Sequence, residues 1–348
     1  MTDRYARQRL FPAIGNEGQQ KLSSSFVTIV GCGALGSIIA TALVRAGVGR
    51  VRIVDRDFIE YHNLHRQMLF NEEDIKEGLP KAVAAERHLK KVNSSVQIEG
   101  IIADVNCSNI EGIVGDSDLI LDGLDNLETR YIINDISMKL KIPWVYGAVV
   151  SSQGMTMDIL PDDTPCLQCL SSHNATNRIP LTIDTMGVIS QAPFIIGSLQ
   201  SVEAIKILIG AQDINRDLIF IDVWKGLFKR FKVFHNAGCL PCHGTFKFLE
   251  AKLGITATIL HGQNAVQISS SPANKVSLKE LAARLLAVGK VTYNDFMLTL
   301  AVDSQEMVVF SDGRAIVKNT VDESLAYGLY TKYIAEIFAQ SFNNDCLR

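Results

Sequence analysis

The chain has 348 residues, 47% of them hydrophobic and 20% charged, with a formal net charge of −3. That length accommodates two domains of ordinary size, and the composition is that of an ordinary globular protein. The charge balance offers no basic field for nucleic acid. No apolar run approaches a membrane span, and the polar start is unlike a secretory signal, so neither a nucleic acid nor a membrane is an expected partner and the expected compartment is the cytoplasm.

Residues 26–30 form an apolar run, read as a strand, that closes on Gly31-Cys32-Gly33-Ala34-Leu35-Gly36 and opens a helical stretch over 37–46. A second strand, 51–54, ends at Asp55. A helix over 81–92, strands over 96–102 and 118–122, a helix over 127–139 and a strand over 144–149 continue the alternation. Strand–helix alternation of this kind predicts a doubly wound parallel sheet. From 154 to 160 the residues alternate apolar and polar, so the sheet is expected to continue antiparallel. A polar stretch over 171–187 reads as a functional loop. An apolar helix over 194–208 ends at Gly210, and 218–224 and 228–235 read as paired strands.

After Cys242 the character changes, and the Ser/Pro-rich 269–275 marks a linker. Beyond it lie a helix over 278–287, a strand-like stretch over 291–302 broken near Asn294-Asp295, a hairpin turning at Asp312-Gly313, and an amphipathic helix over 322–338. The expected fold is therefore α/β, a Rossmann-like doubly wound mixed sheet over 1–248. A linker over 249–276 and a small α+β domain over 277–348 complete it.

Three glycines at a strand-to-helix junction, followed by an acid after the next strand, are the dinucleotide-binding pattern; a tight packing turn is the bland alternative. The residues downstream of the acid do not suit a nicotinamide. Asn63, Arg66 and Gln67 come soon after it, then Lys81 at a helix start, where the helix dipole disfavours a cation. Cations converging on a phosphate-binding turn suit ATP and a metal ion. Asp122 and Asp125 flank the end of a buried strand, where open α/β sheets bind ligands, and one of them could hold magnesium. Asn126 could equally cap the following helix. Cys166-Leu167-Gln168-Cys169 and Cys239-Leu240-Pro241-Cys242 are two knuckles far apart in sequence, the pattern of a closed structural zinc site. Cys32 reads as a small buried residue, Cys107 falls outside both CxxC pairs, and Cys346 sits in a polar tail. His62 and His65 read as loop residues.

These residues together resemble the ThiF/MoeB/HesA adenylyltransferases, relatives of ubiquitin-activating enzymes, over residues 1–248. The resemblance rests on Arg4-Tyr5-Ala6-Arg7-Gln8, the glycine turn, Val54-Asp55-Arg56-Asp57, Asn63-Leu64-His65-Arg66-Gln67, and Lys81. It rests also on Asp122-Gly123-Leu124-Asp125-Asn126, Gly197-Ser198-Leu199-Gln200 and both cysteine pairs. It implies that Asp55 holds the ribose, that Asn63, Arg66 and Lys81 handle the triphosphate, and that Asp125 places magnesium. Gly31, Gly33, Gly36, Gln67 and Asn126 complete the implied nucleotide site, and Arg7 reaches into the neighbouring subunit of a homodimer. Arg7, Arg66, Lys81 and Asp125 are then the catalytic set. The implied reaction is ATP-dependent adenylation of the C-terminal glycine of a ubiquitin-like sulfur carrier, ThiS- or MoaD-like, with a Gly-Gly end, in thiamine or molybdopterin synthesis.

One departure stands out. Ile183 occupies the loop position where many members carry a reactive cysteine, which implies a separate sulfur donor unless Cys107 or Cys346 substitutes. The C-terminal segment resembles an extension of some bacterial members through Asn264-Ala265-Val266-Gln267-Ile268 and residues 310–317, with His261 in place of a usual cysteine. Carrier docking or support of a dimer is the expected role of that segment. Adenylation of a peptide natural-product precursor is an alternative. A non-catalytic carrier-binding partner is another, although such proteins typically lose the arginine, lysine or aspartate kept here as Arg66, Lys81 and Asp125. NAD-dependent hydride transfer would need no Arg66.

Overall fold

A computed structural model describes residues 3–171, 186–250, 256–260, 264–269, 276–302 and 304–335. The chain divides into two units, 1–251 and 252–348.

In the first unit, β1 (Phe26–Val30) is buried at every residue, as a strand covered on both faces must be. Its one polar side chain, Thr28, meets Ser117 Oγ at 2.6 Å. Around it run β2 (Arg50–Asp55), β3 (Gln97–Ile102), β4 (Leu119–Asp122) and β5 (Trp144–Val150). The sheet continues through β6 (Gln153–Ile159), β7 (Leu218–Asp222) and β8 (Leu227–Phe231). The strand order is β3-β2-β1-β4-β5-β6-β7-β8. The first five are mutually parallel and β6, β7 and β8 add antiparallel, so the switch expected near residue 154 is found. Strand order reverses between β1 and β4, where ligands bind in sheets of this kind. Register fixes what meets there, because Val30 lies beside both Val54 and Asp122. Gly31, Asp55 and Gly123 thus emerge at one level.

The helix Gln191–Ile209 has 19 residues and is long and apolar enough to cross a membrane by length and composition. Half of that apolar window is buried in the fold, against β5, β6 and the Ala34–Ala46 helix, so core packing accounts for its composition. The expectation that no run approaches a membrane span is corrected to that extent.

This helix also carries a buried carboxyl pair with β6. Glu203 accepts from Lys206 Nζ and from the Asn215 backbone N–H, both at 3.0 Å. The Asp158 carboxyl oxygens have no hydrogen-bond donor among the described residues. Burial, then the charge of Glu203, push Asp158 up to about 9, so it is a neutral acid at pH 7.

The second unit is a six-stranded antiparallel sheet of order β11-β12-β13-β14-β10-β9. Its strands are β9 (Thr256–Leu260), β10 (Ala265–Ser269), β11 (Lys290–Tyr293), β12 (Met297–Val302), β13 (Gln305–Phe310) and β14 (Ala315–Lys318). Helices Leu278–Leu285 and Glu323–Tyr330 share its core with Val266, Ile268, Leu298, Leu300, Met307, Val309 and Val317. One expectation changes here. The stretch 249–276, expected as a linker, contributes β9 and β10, because Val266 and Ile268 alternate with polar neighbours and fill the core. The break expected near Asn294-Asp295 in the 291–302 stretch is a hairpin turn between β11 and β12, where Asn294 Oδ1 accepts the N–H groups of Phe296 and Met297, each at 2.9 Å.

The raised Asp158 acidity sets a stability trend. An unfolded aspartate ionises near pH 4, whereas the folded one keeps its proton to about 9, so wild-type stability falls as pH rises through that window. Asp158→Asn needs no proton. The variant is expected to melt several degrees above wild type at about pH 8, with the advantage shrinking toward pH 5 in thermal denaturation.

Candidate active site

The glycine turn is built by backbone contact. Gly31 has φ +90°, and a Cβ on it would come within 2.7 Å of the Gly123 carbonyl carbon. A Cβ on Gly36 would overlap the Gly31 carbonyl oxygen. Both glycines are therefore required by the close approach of three backbone segments. Gly33 is different. A Cβ there would find Gln67 Nε2 at 3.7 Å and Gly123 O at 3.9 Å, ordinary contact distances. Packing does not demand a bare Gly33, which opens the Ala34–Ala46 helix at its N-terminus. Close approach of an anion to those backbone N–H groups would demand it.

Gln67 faces this space. It is 3% exposed, and its Oε1 is enclosed with no hydrogen-bond partner among the described residues. A buried carbonyl oxygen without a donor is unfavourable unless a donor from outside the chain supplies one, while the Nε2 of the same amide can donate to an anion. Asp55 sits beside the turn, accepting from the Cys32 N–H at 2.6 Å and the Asp57 N–H at 2.7 Å. Burial pushes its carboxyl up, and the Lys81 charge opposes this.

Lys81 is 7% exposed, with Nζ 3.1 Å from Asp57 Oδ2. Burial alone would weaken the ammonium, but Asp57, Asp55 and Asp125 outweigh it and hold Lys81 above its ordinary range. Lys81 is a permanent cation at neutral pH. Arg56 is fixed by Asp104 at 2.9 Å; burial opposes its charge, and the surrounding carboxylates more than restore it. Arg66 is half-buried on the loop after Asp55, donating from Nη1 to the His62 carbonyl at 2.7 Å. Asn63 is buried and shapes that loop, its Oδ1 accepting the Glu60 N–H at 3.1 Å. Asp125 is exposed at the end of β4, close enough to Lys81, Arg56 and Arg130 to stabilise all three charges.

Two sequence expectations resolve differently. Asn126 is occupied as a helix cap, its Oδ1 accepting the Thr129 N–H at 2.9 Å. Asp122 is fully buried and receives Arg130 Nε and the Leu124 N–H, both at 2.9 Å. It braces the turn and is not free to hold an ion. Of its partners, Arg130 had no signal in the sequence, and Gln200, which donates to the Asp122 carbonyl at 2.9 Å, was visible only as the last residue of the Gly197–Gln200 motif. Asp57, the main carboxylate on Lys81, was visible only as the second acid of Asp55-Arg56-Asp57.

Arg7 is not brought to this site. It is exposed on the Ala6–Arg9 helix, whose neighbours Gln8 and Tyr5 bond the Ala46 carbonyl and Asn93, each at 2.8 Å. Those contacts lie at the far ends of the Ala34–Ala46 and Lys81–Val92 helices from the glycine turn and Lys81. At about 1.5 Å per residue, the first helix alone separates them by about 20 Å.

The four cysteines converge. Their Sγ atoms all lie within 4.8 Å of one another, with Cys166–Cys239 at 3.4 Å and Cys169–Cys242 at 3.6 Å. These gaps exceed a disulfide bond of about 2.05 Å. They match the edges of a tetrahedron with metal–sulfur bonds of about 2.3 Å, so the cluster could hold a metal ion. Burial pushes the Cys32 and Cys107 thiols up, so neither is a ready nucleophile. Ile183, His261 and Cys346 lie outside the described residues.

With this geometry in place, residues 5–241 match the ThiF family. The chain belongs to that family. It is 41% identical over 343 residues to the sulfur carrier protein ThiS adenylyltransferase of Bacillus subtilis, covering 96% of this chain and 100% of that one. It is 35% identical over 246 residues to the sulfur carrier protein adenylyltransferase of Thermus thermophilus, covering 69% and 90%. Escherichia coli MccB, in its ATP complex, shares the fold at TM-score 0.61 and 21% identity, over 70% of this chain and 75% of that one. As a ThiF-family protein with relatives of this kind, the chain is an ATP-using adenylyltransferase, and the nicotinamide alternative falls away.

The contrast between the glycines is testable. Gly33→Ala is expected to change stability by about 1 kcal/mol or less, yet weaken ATP binding at least tenfold by calorimetric titration. Gly36→Ala, which overlaps backbone, is expected to lose the folded state in circular dichroism.

Proposed function

We propose that this adenylyltransferase activates the C-terminal glycine carboxylate of a ubiquitin-like sulfur carrier of the ThiS type. The observations that carry the reading are the permanent Lys81 cation and a Gly33 that packing leaves free to be larger, faced by the Gln67 Nε2 donor. Full-length likeness to the Bacillus subtilis relative, second unit included, supports a thiamine rather than a molybdopterin carrier.

A carboxylate is already ionised at neutral pH and needs no general base. Its oxygen bonds to the α-phosphorus of ATP while the bond to the bridging β-phosphate oxygen breaks, and pyrophosphate leaves with that electron pair. The protein's work is positioning and charge stabilisation. Asp55 accepts from the ribose, the glycine-turn N–H groups and Gln67 Nε2 donate to the phosphate nearest Gly33, and Asn63, Arg66 and Lys81 take the remaining phosphate charge. Asp125, exposed next to Lys81 and without a hydrogen-bond partner among the described residues, is the carboxylate fitted to hold a magnesium ion. Such an ion would shield the phosphates. Arg7, too far from its own site, would serve a neighbouring copy in a homodimer. The cysteine cluster would hold structural zinc. With Ile183 at the loop position, sulfur would come from a separate donor.

ATP–pyrophosphate exchange tests the reading. Exchange is expected with a ThiS-type carrier ending in Gly-Gly and not with the same carrier lacking those two residues. Asp125→Ala and Arg66→Ala are expected to lower it about 100-fold or more with unchanged melting. Exchange supported by a MoaD-type carrier alone, or by a short free peptide alone, would overturn the carrier assignment.

A further inference from the structure

Away from the proposed nucleotide site, Asn134 and Asp135 are fully buried polar side chains on the Leu127–Leu140 helix. Neither contacts the nucleotide residues, and a buried carboxylate is a poor way to fill a core. Asn134 Oδ1 accepts the backbone N–H of Leu167, inside the first cysteine knuckle, at 2.8 Å. Asp135 Oδ1 accepts Gln168 Nε2, from the same knuckle, at 3.0 Å. Its Oδ2 accepts the backbone N–H of Phe248, just beyond the second knuckle, at 2.9 Å. Phe248 also stacks on Tyr131 of the helix, with ring centroids 4.7 Å apart. Both arms of the cysteine cluster are thus tied to one helix by bonds that use no thiol.

We infer that Asp135, assisted by Asn134, is a positioning residue that holds the two cysteine arms together so that the four sulfurs form a cage for zinc. This rests on reading the cluster as a zinc site. The reason is entropic. Gathering two arms distant in the chain costs conformational freedom. A carboxylate that accepts from each arm offsets that cost before the ion arrives. Partners behind metal ligands typically matter by about 10–100-fold in affinity.

The test uses the full chain, loaded with zinc, and follows release to a chromophoric chelator well below the melting temperature. Asp135→Asn keeps the side-chain volume but turns an amide NH2 toward one of two donors. Its zinc release is expected to be about 10–100-fold faster than wild type, with a smaller acceleration in Gln168→Ala. Gln168→Ala removes one arm's bond from a half-buried side chain, and so reports even if Asp135→Asn does not fold. A packing role alone would lower melting temperatures and leave release rates unchanged, which would overturn the inference. If wild type binds no zinc, the zinc reading fails and this inference with it. If wild type binds zinc and both variants release it at the wild-type rate, only this inference fails.

Discussion

A single buried ammonium sets the terms of the proposed nucleotide site. Lys81 starts a helix, where the backbone dipole opposes it, and is withdrawn from water, which opposes it again. Asp57, Asp55 and Asp125 reverse both penalties. The arrangement carries more negative than positive charge around the lysine, and ATP would bring more still. That surplus explains why Arg56 stands among the same carboxylates, and why a divalent ion would suit Asp125. The charge is fixed by the fold before any ligand arrives, which is the condition for electrostatic catalysis without reorganisation.

Backbone geometry delivers those charges. Close nesting of Gly31, Gly36 and Gly123 brings the ends of β1 and β4 against the first helix, and Arg130 and Gln200 lock β4 from below. The Leu127–Leu140 helix then links two regions of the first unit. Asn126 caps it next to Asp125, Arg130 braces the turn through Asp122, and Asn134 and Asp135 reach the cysteine arms. One helix therefore braces both the glycine-turn end of the sheet and the cysteine cluster.

Much of the first unit was legible because its signals are local. Apolar runs of strand length, a glycine turn and a following acid each carry their meaning within a few residues. The cysteine cluster was legible because thiol pairs at that spacing have few other uses. The features that stayed hidden depend on contacts across the chain. Gly33 and Gly36 look alike in sequence, and only the space around each separates a glycine that packing leaves room at from one that packing requires. Asp122 reads as a possible metal ligand until Arg130 claims it. Residues 256–269 read as linker because their strands are short and followed by a Ser/Pro-rich stretch, although the second sheet is incomplete without them. The distance of Arg7 from its own glycine turn follows from the length and direction of a helix, not from its motif.

The most direct measurement is calorimetric titration of magnesium and ATP into wild type and Lys81→Met, with circular dichroism to verify folding. Removing a buried charge that meets phosphate is expected to weaken ATP binding by about 30-fold or more, a cost of about 2 kcal/mol or more. Equal affinity in a folded variant would contradict the assignment of Lys81 to the nucleotide and, with it, the placement of the active site.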